Sequence, residues 1–236
     1  MKSNLDKEIN NQYNKLIHII IPKICSHKNV DKEKYEKKLF YEIYFIWYMS
    51  NRGELSHFLN HDYYNYTCSF MYESYISLIL NQLTAASLLL RSSIENFIKF
   101  LLISKNLEPN NTRFKENTRK LKNEIRNDTV NSEIDKLVTI YSDLSSISHS
   151  ANENKINIIK YLSSTIKSSE KLKKDTISHF KKTVRIYDYF LLKICKLSLS
   201  RWDTNDLNNV LHIVFKDKQS KNIINNLKNK NISCHD

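Results

Sequence analysis

The sequence predicts an all-α fold, a single-domain helical bundle of about five to seven helices. Three observations lead there. One glycine, Gly53, and two prolines, Pro22 and Pro109, punctuate 236 residues, against average usage of about 7% and about 5%, so turn-rich β architecture and glycine-rich phosphate loops are excluded. Apolar residues recur at steps of three and four through long stretches, the period of a helix with a buried face. The length is enough for one real core with a small appendage.

Residues 5–21 read as a first helix, ended or kinked at Pro22, whose ring lacks the amide donor and clashes with the preceding turn. A second runs from Asp31 to Asn60, with Gly53 as its natural break. From Thr67 to Lys105 the stripe Met71, Tyr75, Ile79, Leu83, Ala86, Leu90, Ile94, Phe97 and Leu101 predicts one long central helix. Leu107-Glu-Pro-Asn-Asn111 then turns, because a residue before proline is pushed out of the helical region. A polar segment, 112–131, leads to a helix capped by Ser132, with Asp135 three residues on and a core side of Ile134, Leu137, Ile140, Tyr141 and Leu144. Ser148 to Asn154 connects to a helix from Ile156 to Leu199, and a short helix at 204–215 precedes a Lys/Asn-rich end, 217–236, expected to fray. The organisation expected is therefore 1–60 as N-terminal helices packing on the core, 61–200 as the helical core, and 201–236 as a short helix with a mobile basic tail.

Thirty-seven Lys and Arg against 25 Asp and Glu leave a formal charge of +12, which suits an anionic partner such as nucleic acid or an acidic membrane. A compositional explanation competes, since Lys, Asn, Ile and Tyr are the residues an AT-rich genome encodes. Only seven of the cations are arginines, whose planar guanidinium does bidentate work that lysine cannot. Cys25, Cys68, Cys195 and Cys234 are scattered without a C-x-x-C pair, which suggests reduced thiols in a cytoplasmic protein. No stretch reaches the ~18 to 20 apolar residues of a membrane span. His57 and His61, with Asp62 and Cys68 nearby, invite a zinc reading, but no H-E-x-x-H or paired-cysteine knuckle accompanies them. No metal or cofactor is expected.

The chemistry-bearing patterns are Arg91-Ser-Ser-Ile-Glu95 within the long apolar helix and Tyr141-Ser-Asp-Leu-Ser145-Ser146-Ile-Ser-His149 on a later one. Arg91 and Glu95 lie beside the apolar stripe, and burial makes an unpaired charge costly, so they are expected to pair with each other or a third group. An ordinary intrahelical ion pair, worth ~0.3 to 0.5 kcal/mol when exposed, explains them equally. His149 at a helix end can simply interact with the carbonyl dipoles.

Taken together, L-L-L-R91-S-S-I-E95 and I-Y141-S-D-L-S145-S146-I-S-H149 resemble a branch of the HEPN superfamily, compact helical proteins frequent in phage-defence and toxin systems. The resemblance covers about residues 70–195. It implies an α-helical bundle, often a homodimer, and in active members a metal-independent endoribonuclease. It further implies that Arg91 contacts the scissile phosphate, that Glu95 orients Arg91, that His149 is the general acid or base, and that Tyr141, Ser145 and Ser146 support them by hydrogen bonding. The family's short Arg-x(4 to 6)-His run is missing at His149. One literal match, Arg52 to His57, gives an alternative site, although about 0.7 such matches are expected by chance. Two functions stay open: an RNA-cleaving defence or toxin-type protein, and a non-catalytic module binding RNA, a nucleotide or a partner protein such as an antitoxin.

Overall fold

A chain with one glycine must end its helices by other means, and asparagine does much of that work. A computed structural model describes residues 4–20, 34–111, 113–149 and 170–228, with the backbone alone at 34–36 and 147–149. Among the described residues there is no strand, and eleven α-helices form: α1 (Asn4–Lys15), α2 (Lys34–Ser50), α3 (Gly53–Leu59), α4 (Asp62–Ile79), α5 (Leu83–Ile103), α6 (Phe114–Glu124), α7 (Asp128–His149), α8 (Glu170–Ile194), α9 (Lys196–Leu199), α10 (Thr204–Leu211) and α11 (Asp217–Lys228). A π-helical turn, Leu16–Ile20, continues α1. The fold is all-α as expected, but the helix count exceeds five to seven.

The excess has local causes. The long helix expected over 67–105 is two, because Asn81 turns to φ 58° and closes α4. Its amide bonds to the Leu78 carbonyl at 3.0 Å and the Gln82 amide to the Ser77 carbonyl at 2.8 Å, which is the Schellman arrangement. The end of α5 repeats it. Asn106 sits at φ 57°, its amide bonds to Ile103 at 2.8 Å, and the Leu107 amide to Leu102 at 2.9 Å. Between α2 and α3, the Ser50 hydroxyl bonds to the Ile46 carbonyl at 2.7 Å and the Asn51 amide group to the Trp47 carbonyl at 2.8 Å, competing with continuation of the helix.

Three further boundaries differ from the sequence expectation. The polar segment after residue 112 contains α6, held by buried Phe114, Asn117, Thr118 and Leu121. Helix α7 begins at Asp128, where the Asn127 side chain accepts from the Val130 amide at 3.0 Å, so Ser132 lies inside the helix and does not cap it. The supposed tail is ordered helix as far as Lys228, burying Ser220, Ile224 and Leu227 at helical spacing. The expected connection at 148–154 and the start of the helix expected from Ile156 lie largely outside the described residues.

The contacts divide the chain into two compact units, one from Met1–Leu59 with Asp188–His235 and one from Asn60–Tyr187, where the sequence suggests a single domain. In the second unit, α4 and α5 form an antiparallel pair and α7 packs against α5. Ala86, Leu90, Ile94, Phe97, Ile98 and Leu102 of α5 are fully buried, as are Ile134, Leu137 and Leu144 of α7. Small hydroxyls let these helices approach while satisfying themselves: Ser74 donates to the Ala86 carbonyl at 2.7 Å, Ser93 to the Thr67 carbonyl at 2.9 Å, and Ser93 also meets the Tyr187 hydroxyl at 3.0 Å. In the first unit, Phe45 meets Phe215 edge-on with ring centres 6.1 Å apart, and Leu39, Ile46, Leu55, Leu199 and Leu211 are buried. No helix among the described residues is long and apolar enough to cross a membrane.

The left-handed caps give a direct test. Asn106→Gly is expected to leave stability unchanged or raise it, whereas Asn106→Ala should lower it by about 1 kcal/mol, since a Cβ disfavours that backbone region. Urea denaturation of the two variants beside the parent reads the difference.

Candidate functional site

Arg91 lies in the middle of α5, half-buried. The expected Arg91–Glu95 pair does not form. Glu95 turns to Lys99 at 3.1 Å instead, one turn on. The physical reason is the order of charges: at i, i+4 a carboxylate that precedes its cation is favoured over the reverse, so Glu95 has the better partner ahead of it. Lys99 itself is buried and well held, donating to the Asn111 carbonyl at 3.2 Å and lying 5.6 Å from the centre of the Tyr63 ring.

Arg91 pairs with Tyr141 of α7. Its Nη2 donates to the Tyr141 hydroxyl at 2.9 Å, and its guanidinium carbon lies 4.8 Å from the centre of that ring. Phe114 of α6 stacks on the same ring, 3.7 Å between centres and 12° from parallel. Three helices thus meet at one cation: α5 supplies it, α7 orients it, and α6 fixes the orienting ring. Hydrogen bond and ring face act together, a cation–π contact being worth about 0.5 to 2 kcal/mol according to burial. The Arg91 Nε is buried and has no partner among the described residues. No carboxylate among the described residues neutralises this guanidinium.

The two serines following Tyr141 donate to their own helix, Ser145 to the Tyr141 carbonyl at 2.7 Å and Ser146 to that of Asp143 at 2.7 Å. His149 is the last residue of α7. It stands eight residues beyond Tyr141, about 12 Å along the axis, and its side chain lies outside the described residues. Of the expected group, the structure joins Arg91 to Tyr141 and separates Glu95 from Arg91.

At the alternative site the two residues go different ways. Arg52 pairs through Nε and Nη2 with one oxygen of Glu54, at 3.0 and 2.5 Å, and lies 4.9 Å from the Trp202 ring centre and 5.7 Å from that of Tyr48. His57 is exposed, edge-on to Phe58. His61 Nδ1 accepts from the Tyr63 amide at 3.2 Å and caps α4, which is work for a lone pair that a metal ligand would need. No group of three His, Cys, Asp or Glu side chains among the described residues could hold a metal ion. Cys68 and Cys195 are buried thiols, and burial pushes the Cys195 thiol up to about 12, which disfavours the nucleophilic thiolate at neutral pH.

Sequence reasoning missed three participants. Lys99 was legible as the i+4 partner of Glu95. Phe114 was not, because its contact with Tyr141 is made across helices. His179 of α8 lies 3.3 Å from Asp143 through Nε2, with a buried Nδ1 that has no partner among the described residues, and no motif marks it. Comparison of the chain with protein-family models, with curated proteins and with solved structures gives no match in any of the three.

Tyr141→Phe keeps the ring on Phe114 and removes the hydroxyl acceptor. It is expected to cost about 1 kcal/mol of stability, the net worth of a partly exposed hydrogen bond to a charged group, while Tyr141→Ala should cost more by also losing the stack. Thermal denaturation of the pair separates the two contributions.

Proposed function

We propose that this chain is a helical, HEPN-like protein of the defence or toxin type that acts on RNA, with Arg91 as its phosphate-contacting residue. One observation carries the reading: a half-buried guanidinium, held by the hydroxyl and the ring of Tyr141, that no carboxylate among the described residues neutralises. Such a group retains its charge for an external anion, and the chain's net +12 favours approach of a polyanion. The engagement of Glu95 by Lys99 removes the carboxylate that would have competed for Arg91.

In the catalytic form of the proposal the ribose 2′-hydroxyl attacks the adjacent phosphate and passes its proton to His149. The bond to the 5′-oxygen breaks, that oxygen takes a proton from water while His149 returns its own to the solvent, and a 2′,3′-cyclic phosphate and a 5′-hydroxyl result. Arg91 stabilises the charge that grows on the phosphate. No metal takes part. The non-catalytic form, a cytoplasmic module that binds RNA, a nucleotide or an antitoxin-like partner and works as a homodimer, draws support from the same Glu95–Lys99 pair. A carboxylate held by Lys99 does not orient Arg91 for chemistry.

Purified protein incubated with RNA in EDTA separates the two. The catalytic form predicts cyclic-phosphate ends that disappear in His149→Ala with an unchanged melting temperature. The binding form predicts intact RNA, with Arg91→Ala weakening RNA binding and lowering the slope of log Kd against log salt by about 1, the loss of one phosphate contact. RNA that is neither cleaved nor bound defeats the catalytic form and removes RNA as the ligand of the binding form.

A further inference from the structure

The positive charge of the chain is concentrated on α6. Residues 113–126 carry six Lys or Arg against Glu116 and Glu124, a net +4 of the chain's +12. Helix α7, packed beside it, has the opposite balance, with Asp128, Glu133, Asp135 and Asp143 against Lys136. Arg91 lies where α5, α6 and α7 meet, its ring partner Tyr141 stacked on Phe114 of α6. An anion nearing that guanidinium is therefore drawn over α6 and repelled from α7, because the summed charge of a surface steers a charged ligand.

The charge on α6 is also ordered. The helix buries Phe114, Asn117, Thr118 and Leu121. At about 100° per residue, Lys115, Arg119 and Lys122 fall within about 60° of one another, in a row that faces away from the buried side. Lys115 and Arg119 are exposed, as is Arg126 just past the helix. Lys122 is engaged by Asp135 at 2.8 Å, whereas no carboxylate among the described residues pairs with Lys115, Arg119 or Arg126. A phosphate that comes to these cations breaks no ion pair on the protein, and it releases the counterions condensed on the nucleic acid.

The outer side of α6 also states which kind of polyanion. The large apolar side chains exposed among the described residues are Ile19, Ile20, Trp47, Tyr66, Leu88 and Leu197, and none lies on α6. A helix that lies on a lipid surface needs such anchors. This one offers charge alone, which is what a phosphodiester backbone requires. The row from Lys115 to Lys122 covers about 10 Å of helix. That is too short for the two successive minor grooves, about 16 base pairs, that a duplex-binding surface spans, and it suits a few phosphates of one strand. We propose that the Lys115 and Arg119 edge of α6 holds the backbone of single-stranded RNA and leads it to Arg91, an inference that rests on the RNA reading of Arg91.

Fluorescence anisotropy of a labelled, short poly(U) RNA with the full chain, at several salt concentrations, tests this. Lys115→Gln combined with Arg119→Gln changes two exposed side chains. It is expected to weaken binding about tenfold and to lower the slope of log Kd against log salt by about 1.4, the loss of two phosphate contacts on a single strand. Lys218→Gln combined with Lys221→Gln removes the same charge from exposed positions of α11 and should change neither quantity. Equal losses in the two pairs overturn the proposal, because the attraction is then diffuse, and so does absence of RNA binding. A loss confined to Arg91→Ala overturns it while the RNA reading of Arg91 stands. A loss in the α6 pair without one in Arg91→Ala supports the α6 surface and defeats that reading. Binding to phosphatidylserine vesicles that the α6 pair abolishes, with RNA binding kept, overturns the proposal as well, the edge then being a lipid surface.

Discussion

Everything in the unit from Asn60 to Tyr187 depends on burying α5 on more than one side. A helix in contact with α4, α6 and α7 keeps only one strip at the surface, from Thr84 and Leu88 to Glu95 and Asn96, so a polar residue off that strip must find a partner inside the protein or at its margin. Ser87 and Ser93 do so through hydroxyls on neighbouring helices, and Lys99 through Glu95, the Asn111 carbonyl and the Tyr63 ring. Arg91 finds Tyr141. The site is in this sense a by-product of central burial: a long cation on a nearly enclosed helix can leave the core in few directions, and the ring that meets it fixes which.

The same enclosure explains what the sequence made legible. The stripe from Met71 to Leu101 announced helix and core correctly, because burial imposes the three- and four-residue step directly. It hid the turn within it. Ile79 and Leu83 are four apart, so the apolar period runs through Leu80-Asn81-Gln82 without a break, and the left-handed backbone at Asn81 leaves no trace in hydrophobicity. Helices α6 and α11 were hidden for the opposite reason, since each buries only three or four residues among many polar ones.

For the site, sequence brought together two segments fifty residues apart and named Arg91 and Tyr141, whose contact is its centre. It left the companion of Arg91 open between Glu95 and a third group, although the charge order along α5 was enough to assign Glu95 to Lys99. Phe114 and His179 belong to the part that no linear pattern holds, because they reach α7 from other helices.

Ending helices with asparagine instead of glycine has a consequence in time. The side-chain amide of an asparagine is lost slowly as the following backbone nitrogen attacks it, and hydrolysis leaves aspartate or its isomer. At Asn81 and Asn106 that ageing would place a full negative charge beside carbonyls that already form the negative end of a helix. A glycine there would never change. The bulk of Gln82 and Leu107 hinders the attacking nitrogen and slows the reaction, so the residues after the two caps set how long these two turns keep their original chemistry.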